Sequence, residues 1–166
     1  MLILFLTYRK NDWILTKSNH ISIMIEKNKK AIIKRREYMG QDFEDIENYL
    51  EEVKRAVRVG RYRIDRNRKR QRNLALYRDY VIDETKSKEI ILRLTAYDFC
   101  KIVQNEHKGN EHELLYIFGK NVKLLQRMGT EEEIVPLYIK FNKLENQFVI
   151  VISFHKQAYP LTYAFK

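Results

Sequence analysis

The sequence predicts an α+β domain in which N-terminal helices pack on a small C-terminal antiparallel sheet. Apolar residues recur at spacings of three and four between residues 42 and 60, which is the period of an amphipathic helix. Apolar and polar residues alternate between 137 and 155, which is the period of strands with one buried face. With 45% apolar residues in 166, the chain can bury one core, so a single domain is expected.

The first predicted helix spans residues 42–60. Asp42 is suited to cap its start, acidic residues fill the first turns, and basic residues lie near the end, as the helix dipole favours. Gly60 is a natural C-terminal stop. The apolar stripe consists of Phe43, Ile46, Leu50, Val53 and Val57.

Three shorter helices are predicted after it. Two of them span residues 74–80 and 83–94, and the third is an amphipathic helix over 96–103 that Thr95 caps. The polar residues 104–113, which include a glycine, then form a loop.

Strands are predicted at residues 61–64 and 161–165, both at sheet edges, and at residues 114–118. Residues 120–133 are expected to be a polar connection, after which Pro136 opens the terminal hairpin.

The hairpin itself spans residues 137–155, with a polar turn over 142–147. We expect Phe141 to lie opposite Phe148 and Tyr138 opposite Val151. One face of the hairpin then carries four polar side chains, which are Tyr138, Lys140, Ser153 and His155.

A net charge of +10 and a pI of about 9.6 favour a polyanionic partner, although a basic surface kept for solubility is the alternative. Much of the charge lies in one run, residues 61–73, where arginine outnumbers lysine. Such a run is either a mobile, solvated loop or a phosphate-binding surface, since the guanidinium group binds phosphate through two hydrogen bonds. The candidate RNA-binding residues are Arg61, Arg63, Arg66 and Arg68, the first two of which are alternatively part of the site's frame.

Residues 1–41 are predicted to be a basic extension, partly disordered or helical, and residues 42–166 a single domain. The apolar start is too short to span a bilayer and has no signal-peptide pattern, so no membrane association is expected. Cys100 is the only cysteine, which suits a reducing compartment. These observations predict a cytoplasmic protein.

No cofactor is expected, because the sequence has no phosphate-binding glycine loop, dinucleotide fingerprint or nucleophile elbow. No metal site is predicted either. His107 and His112 are five residues apart across a glycine, which matches no metal-binding template, so they are interpreted as surface residues or as polar contributors to a substrate cleft.

The polar face of the hairpin suits RNA cleavage without a metal. That reaction takes a proton from a ribose 2′-OH, stabilises negative charge on a phosphorane-like transition state, and returns a proton to the leaving 5′-oxygen. His155 can act as general acid or base, Tyr138 can donate a proton or orient the substrate, and Lys140 can hold the phosphate.

Three stretches of the chain resemble a known family. They are VKRAVRVGRYRI (53–64), IILRLTAYDFCK (90–101) and the hairpin segments LYIKF and VIVISFH. In this order they are similar to the MqsR-type toxins of bacterial type II toxin–antitoxin systems, within the wider RelE-like ribonuclease group. The resemblance covers residues 53–155 and implies a RelE/MqsR-like fold and a sequence-preferring endoribonuclease, an mRNA interferase that an antitoxin protein restrains.

The resemblance also implies site residues. Lys101 matches a family active-site lysine, Tyr138 matches an active-site tyrosine, and His155 stands where the family has a basic residue. The family's functional glutamine has no counterpart at residues 118–120, and Lys120 is the candidate to bind phosphate there.

Two other classes of function remain open. A nucleic-acid-binding regulator without catalysis would show the same salt-dependent affinity but would leave RNA intact. A basic protein that docks an acidic partner is the third possibility.

Overall fold

A computed structural model of the protein describes residues 42–166, so the prediction for residues 1–41 lies outside the described residues. The α+β class is confirmed, with three α-helices and a five-stranded sheet in the described part. In chain order the elements are α1 (Phe43–Arg58), β1 (Tyr62–Ile64), α2 (Gln71–Asp79), α3 (Glu84–Leu92), a 3₁₀ turn (Ala96–Asp98), β2 (Phe99–Gln104), β3 (Leu114–Leu125), β4 (Glu132–Lys143) and β5 (Val149–Lys156).

The sheet is mixed rather than purely antiparallel, which corrects the prediction. Its strand order is β1-β5-β4-β3-β2, and all neighbours are antiparallel except β1 and β5, which run parallel. Parallel pairing needs a long crossover, and the helices and three strands between β1 and β5 provide it. The predicted edge strand at residues 61–64 is confirmed as β1.

Helix α1 confirms the first helix prediction. The Asp42 carboxylate accepts a hydrogen bond of 2.9 Å from the Asp45 N–H, and Gly60 follows the helix with a φ of +75°. The apolar stripe of α1 packs into the single core of the domain, which lies on one face of the sheet. We call this the inner face and its opposite the outer face.

The helix predicted over residues 96–103 is wrong. Only residues 96–98 are helical, as a 3₁₀ turn closed by a capping box in which Asp98 accepts from the Thr95 N–H at 3.0 Å. From Phe99 the chain enters β2, because Ile102 and Val103 are β-branched and pair with the longer strand β3. Lys101 therefore lies on a strand, not on a helix flank.

Strand β3 continues to Leu125, so most of the predicted connection over 120–133 is instead part of two paired strands. Pro136 lies inside β4 rather than at its start. The proline is tolerated because β5 ends alongside it, and the Pro136 carbonyl accepts the last cross-strand hydrogen bond from the Gln157 N–H at 2.7 Å.

The predicted hairpin register is also wrong. Tyr138 lies opposite His155, Lys140 opposite Ser153, and Phe141 opposite Val151, which leaves Ile152 as the extra residue of a β-bulge. The bulge reverses the alternation, so Val151 and Phe154 both enter the core while the polar residues stay on the outer face. The predicted pairing missed it because strict alternation has no place for an extra residue.

The chain after β5 crosses the outer face instead of forming the predicted strand over 161–165. A β-carbon on Gly119 would lie 2.7 Å from Leu161 Cδ1 and 2.8 Å from the Tyr163 hydroxyl, so a larger residue there would require these two side chains to shift. Further on, the Ala164 N–H donates to the Phe99 carbonyl at 3.0 Å, and Phe165 reaches the core beside Phe99.

Candidate active site

Two rows of cross-strand neighbours place the predicted hairpin residues together on the outer face. In one row Lys101, Ile117, Lys140 and Ser153 lie side by side on β2, β3, β4 and β5. In the next row Tyr138 lies between Gly119 and His155. Neighbouring residues on one face of a sheet are within reach of a common ligand, so the register gathers polar side chains from three strands.

An open groove of about 550 Å³ lies over these rows, and we call it the outer-face groove. Its floor is apolar and includes Leu115, Ile117 and Ile152. Its ionisable lining residues are Arg70, Lys101, Glu106, His107, Tyr138 and Lys140. Three of these carry a positive charge at neutral pH and one is a carboxylate, so the groove favours an anionic ligand.

Tyr138 and His155 form a stacked pair. Their ring centroids are 5.2 Å apart and the planes differ by 11°. His155 is only 8% exposed, and its Nδ1 lies 2.9 Å from the Lys156 carbonyl, to which a protonated Nδ1 donates. Burial lowers the pKa of His155, the hydrogen bond to the Lys156 carbonyl acts in the opposite direction, and the nearby cations Arg72 and Lys140 lower the pKa further. The imidazole is therefore neutral near pH 7 and stands beside Tyr138 without lining the groove.

The two residues from β4 that line the groove are both shifted towards their neutral forms. Burial raises the pKa of the Tyr138 phenol, so it stays a proton donor at neutral pH. Burial also lowers the pKa of the Lys140 ammonium, as does the positive charge of Arg70, while Glu106 acts in the opposite direction. Such a pair of tuned groups is typical of sites where protons are transferred.

Two groove residues were outside the predicted site. Arg70 follows the predicted RNA-binding arginines in the same basic run, and its Nε lies 3.0 Å from Asp65 Oδ2, which holds the side chain at the groove. His107 belongs to the loop that the sequence already indicated as a cleft contributor. The abundance of arginine was a signal for Arg70, but nothing in the sequence distinguishes it from its neighbours.

The remaining predicted residues lie elsewhere. Arg61 donates to the Asn146 carbonyl, Arg63 and Arg68 are exposed, and the Arg66 guanidinium lies 5.0 Å from the centre of the Tyr77 ring. Lys120 is on the inner side of β3, where its ammonium pairs with Asp98 at 2.7 Å. The structure therefore brings Lys101, Tyr138 and Lys140 into one groove, and leaves the four arginines and Lys120 outside it.

His107 and His112 do not converge. His107 lines the outer-face groove, whereas His112 lines a different cavity together with Tyr49 and Lys143. Within residues 42–166, no group of three or more His, Cys, Asp or Glu side chains is arranged to hold a metal ion.

Comparison of the chain with protein-family models, with curated proteins and with solved structures gave no significant match in any of the three. Within residues 42–166, none of the helices combines the length and the apolar character that crossing a membrane requires.

Proposed function

We propose that the protein is a metal-independent endoribonuclease of the mRNA interferase type, which cleaves RNA by attack of a ribose 2′-OH on the adjacent phosphate. The observation that carries the proposal is the meeting of Lys101 and Tyr138 in one groove. These are the two residues for which the resemblance to MqsR-type toxins implies a catalytic role, and they are 37 positions apart in the sequence.

Each groove residue has a role in this proposal. Lys101, Lys140 and Arg70 stabilise the extra negative charge that develops on the phosphate in the transition state. Tyr138 donates a proton to the leaving 5′-oxygen, as its raised pKa favours. His155 orients the Tyr138 ring through the stacking contact. The arginines Arg61, Arg63, Arg66 and Arg68 are proposed to bind the RNA backbone beyond the groove, and Lys120 to support the sheet through Asp98.

The toxin class, with a RelE/MqsR-like fold, a cytoplasmic location and an antitoxin partner, is part of the same proposal. Its support is the resemblance over residues 53–155 and the basic charge of the chain, which suits both RNA and an acidic regulatory protein.

The test is cleavage of a single-stranded RNA in EDTA by the full chain and by two variants, Lys101→Ala and Tyr138→Phe. We expect both variants to lose about 100-fold or more in kcat/KM, since each removes a group that acts on the transition state. Lys123→Ala is the control, because Lys123 is an exposed lysine on β3 outside the groove. Full activity of both variants would contradict the assignment of Lys101 and Tyr138 to the active site.

A second candidate is an RNA-binding regulator without catalysis. The burial of His155 favours it, because binding requires only the cations and the apolar floor of the groove. This candidate predicts salt-dependent RNA binding with no cleavage by the wild-type protein at any pH.

A further inference from the structure

The proposed reaction needs a group that takes the proton from the 2′-OH. His155 was the sequence-based candidate, but it is 8% exposed and does not line the groove. His107 is exposed and lines it, together with Tyr138 and Lys140 of β4. An imidazole ordinarily changes its charge between about pH 5 and 8, which suits proton transfer at neutral pH.

The backbone of His107 is held on both sides, although the residue belongs to a surface loop. Its N–H donates to the side-chain oxygen of Asn105 at 3.1 Å, and its carbonyl accepts from the Asn110 N–H at 2.9 Å. These local hydrogen bonds fix the backbone turn at His107. A catalytic base must be held in place, and such a turn fixes the position of the backbone that carries the imidazole.

The base of the loop is tied to the sheet by a buried polar network. The Glu113 carboxylate accepts from the side-chain amides of Asn105 and Asn142, each at 2.7 Å, and both amides are 5% exposed. The Asn105 N–H also donates to the Glu113 carbonyl at 3.0 Å. Because Asn142 lies in β4, this network links the His107 loop to the strand that carries Tyr138 and Lys140.

We propose that His107 is the general base of the reaction, an inference that rests on the proposed function. The His107 imidazole takes the proton from the 2′-OH, and the oxygen forms a bond to phosphorus. The bond from phosphorus to the 5′-oxygen breaks, and that oxygen takes the proton of the Tyr138 phenol. The products are a 2′,3′-cyclic phosphate and a 5′-hydroxyl, and solvent returns the two groups to their starting states.

Charged groups from four parts of the chain line the groove together with His107. Glu106 is on its own loop, Lys101 is on β2, Lys140 is on β4, and Arg70 comes from the segment before α2. The pH profile of the reaction is therefore expected to depend on all of these groups.

The loop offers a matched control, because His112 is also exposed but lines the other cavity. The experiment measures kcat/KM for RNA cleavage in EDTA from pH 5 to 9 with wild type, His107→Gln and His112→Gln. We expect His107→Gln to lose about 100-fold or more at neutral pH and to lose the acidic limb of the profile. His112→Gln should stay within about threefold of wild type, since no reacting group is removed.

Binding of a 2′-O-methyl RNA, which cannot be cleaved, separates catalysis from affinity. We expect His107→Gln to bind it as wild type does, and added imidazole to restore part of the activity of His107→Gly.

Three results would overturn the inference. If His107→Gln has wild-type activity while Lys101→Ala and Tyr138→Phe are impaired, His107 is not the general base, but the proposed function still stands. An equal loss of binding and cleavage in His107→Gln would make it a binding residue only. No cleavage by wild type would overturn both proposals.

Discussion

Where β5 bulges, the side chain of Asn73 makes the backbone hydrogen bonds that a neighbouring strand would otherwise make. Its side-chain amide donates to the carbonyls of Asp65 and Ile152 at 2.6 and 3.1 Å, and its oxygen accepts from the Phe154 N–H at 3.0 Å. The residue is 2% exposed. Beyond the short strand β1, these bonds satisfy backbone groups of β5 that would otherwise be buried and unpaired.

We therefore expect Asn73→Leu to lower the free energy of unfolding by about 3 kcal/mol, because it leaves buried backbone groups without partners. Urea denaturation measures the change. Asn121→Ala is the control, since Asn121 is exposed on β3. A loss no larger than that of the control would show that the bulge does not depend on this amide.

His155 makes the stability of the domain depend on pH. Because burial lowers the pKa of His155 below its ordinary value of 6.5, the unfolded chain binds more protons than the folded one at mildly acidic pH. The contribution is complete above pH 6.5 and is lost as the pH falls through the lowered folded value.

The measurement is urea denaturation of wild type and His155→Phe at several pH values between 5 and 8. Phenylalanine can still stack on Tyr138 but does not titrate, so we expect the variant to lose less stability on acidification than wild type. Identical pH dependence in the two proteins would contradict the assignment.

At the residue scale, alternation along the hairpin was enough to place Tyr138, Lys140, Ser153 and His155 on one face. It could not predict that His155 is buried, because burial there depends on the bulge at Ile152 and on residues far away in the sequence. Likewise, the pattern carries no signal for Asn73, whose role depends on where α2 meets β5.

Among the elements, β2 shows why the secondary structure of a short apolar segment is hard to predict from its sequence alone. Residues Phe99, Ile102 and Val103 fit the spacing of a helix as well as that of a strand with an irregularity. The structure has the irregularity, since the pairing shifts between Phe99 and Lys101. Residues 99–104 form a strand because they pair with β3. The sequence did not indicate this long partner, since the predicted strand ends at Phe118 instead of Leu125, seven residues too early. By contrast, α1 carries its own cap and stop and was predicted correctly.

The C-terminal segment crosses the outer face in close contact with Gly119. Gly119→Val would push Leu161 and Tyr163 away from the sheet, because even a β-carbon lies within 3 Å of both side chains. We expect faster hydrogen exchange at Ala164, whose N–H bonds to the Phe99 carbonyl. Asn121→Val, at an exposed position of the same strand, serves as the control. Unchanged protection of Ala164 would show that the segment can cross without the glycine.

For the chain as a whole, the net charge of +10 predicts RNA binding that weakens with salt, under either proposed function. Removing one phosphate contact should reduce the slope of log K against log salt concentration by about 0.7 for a single strand. We expect this for Lys101→Ala but not for Lys123→Ala, which lies outside the groove. Fluorescence anisotropy of a labelled RNA at several salt concentrations measures both slopes. Equal slopes in the two variants would place the phosphate path elsewhere.

The parallel pairing of β1 with β5 sets the order in which the domain can assemble during synthesis. Tyr62 pairs with Val149, so β1 and the arginine-rich segment after it leave the ribosome long before their partner strand exists. The groove brings together Arg70, Tyr138 and Leu161, which are far apart in the sequence. Since domains fold as units once their parts are present, the groove of the proposed nuclease can form only after the segment that contains Leu161 has been synthesised. A nascent chain that stops short of Leu161 therefore lacks part of the groove wall.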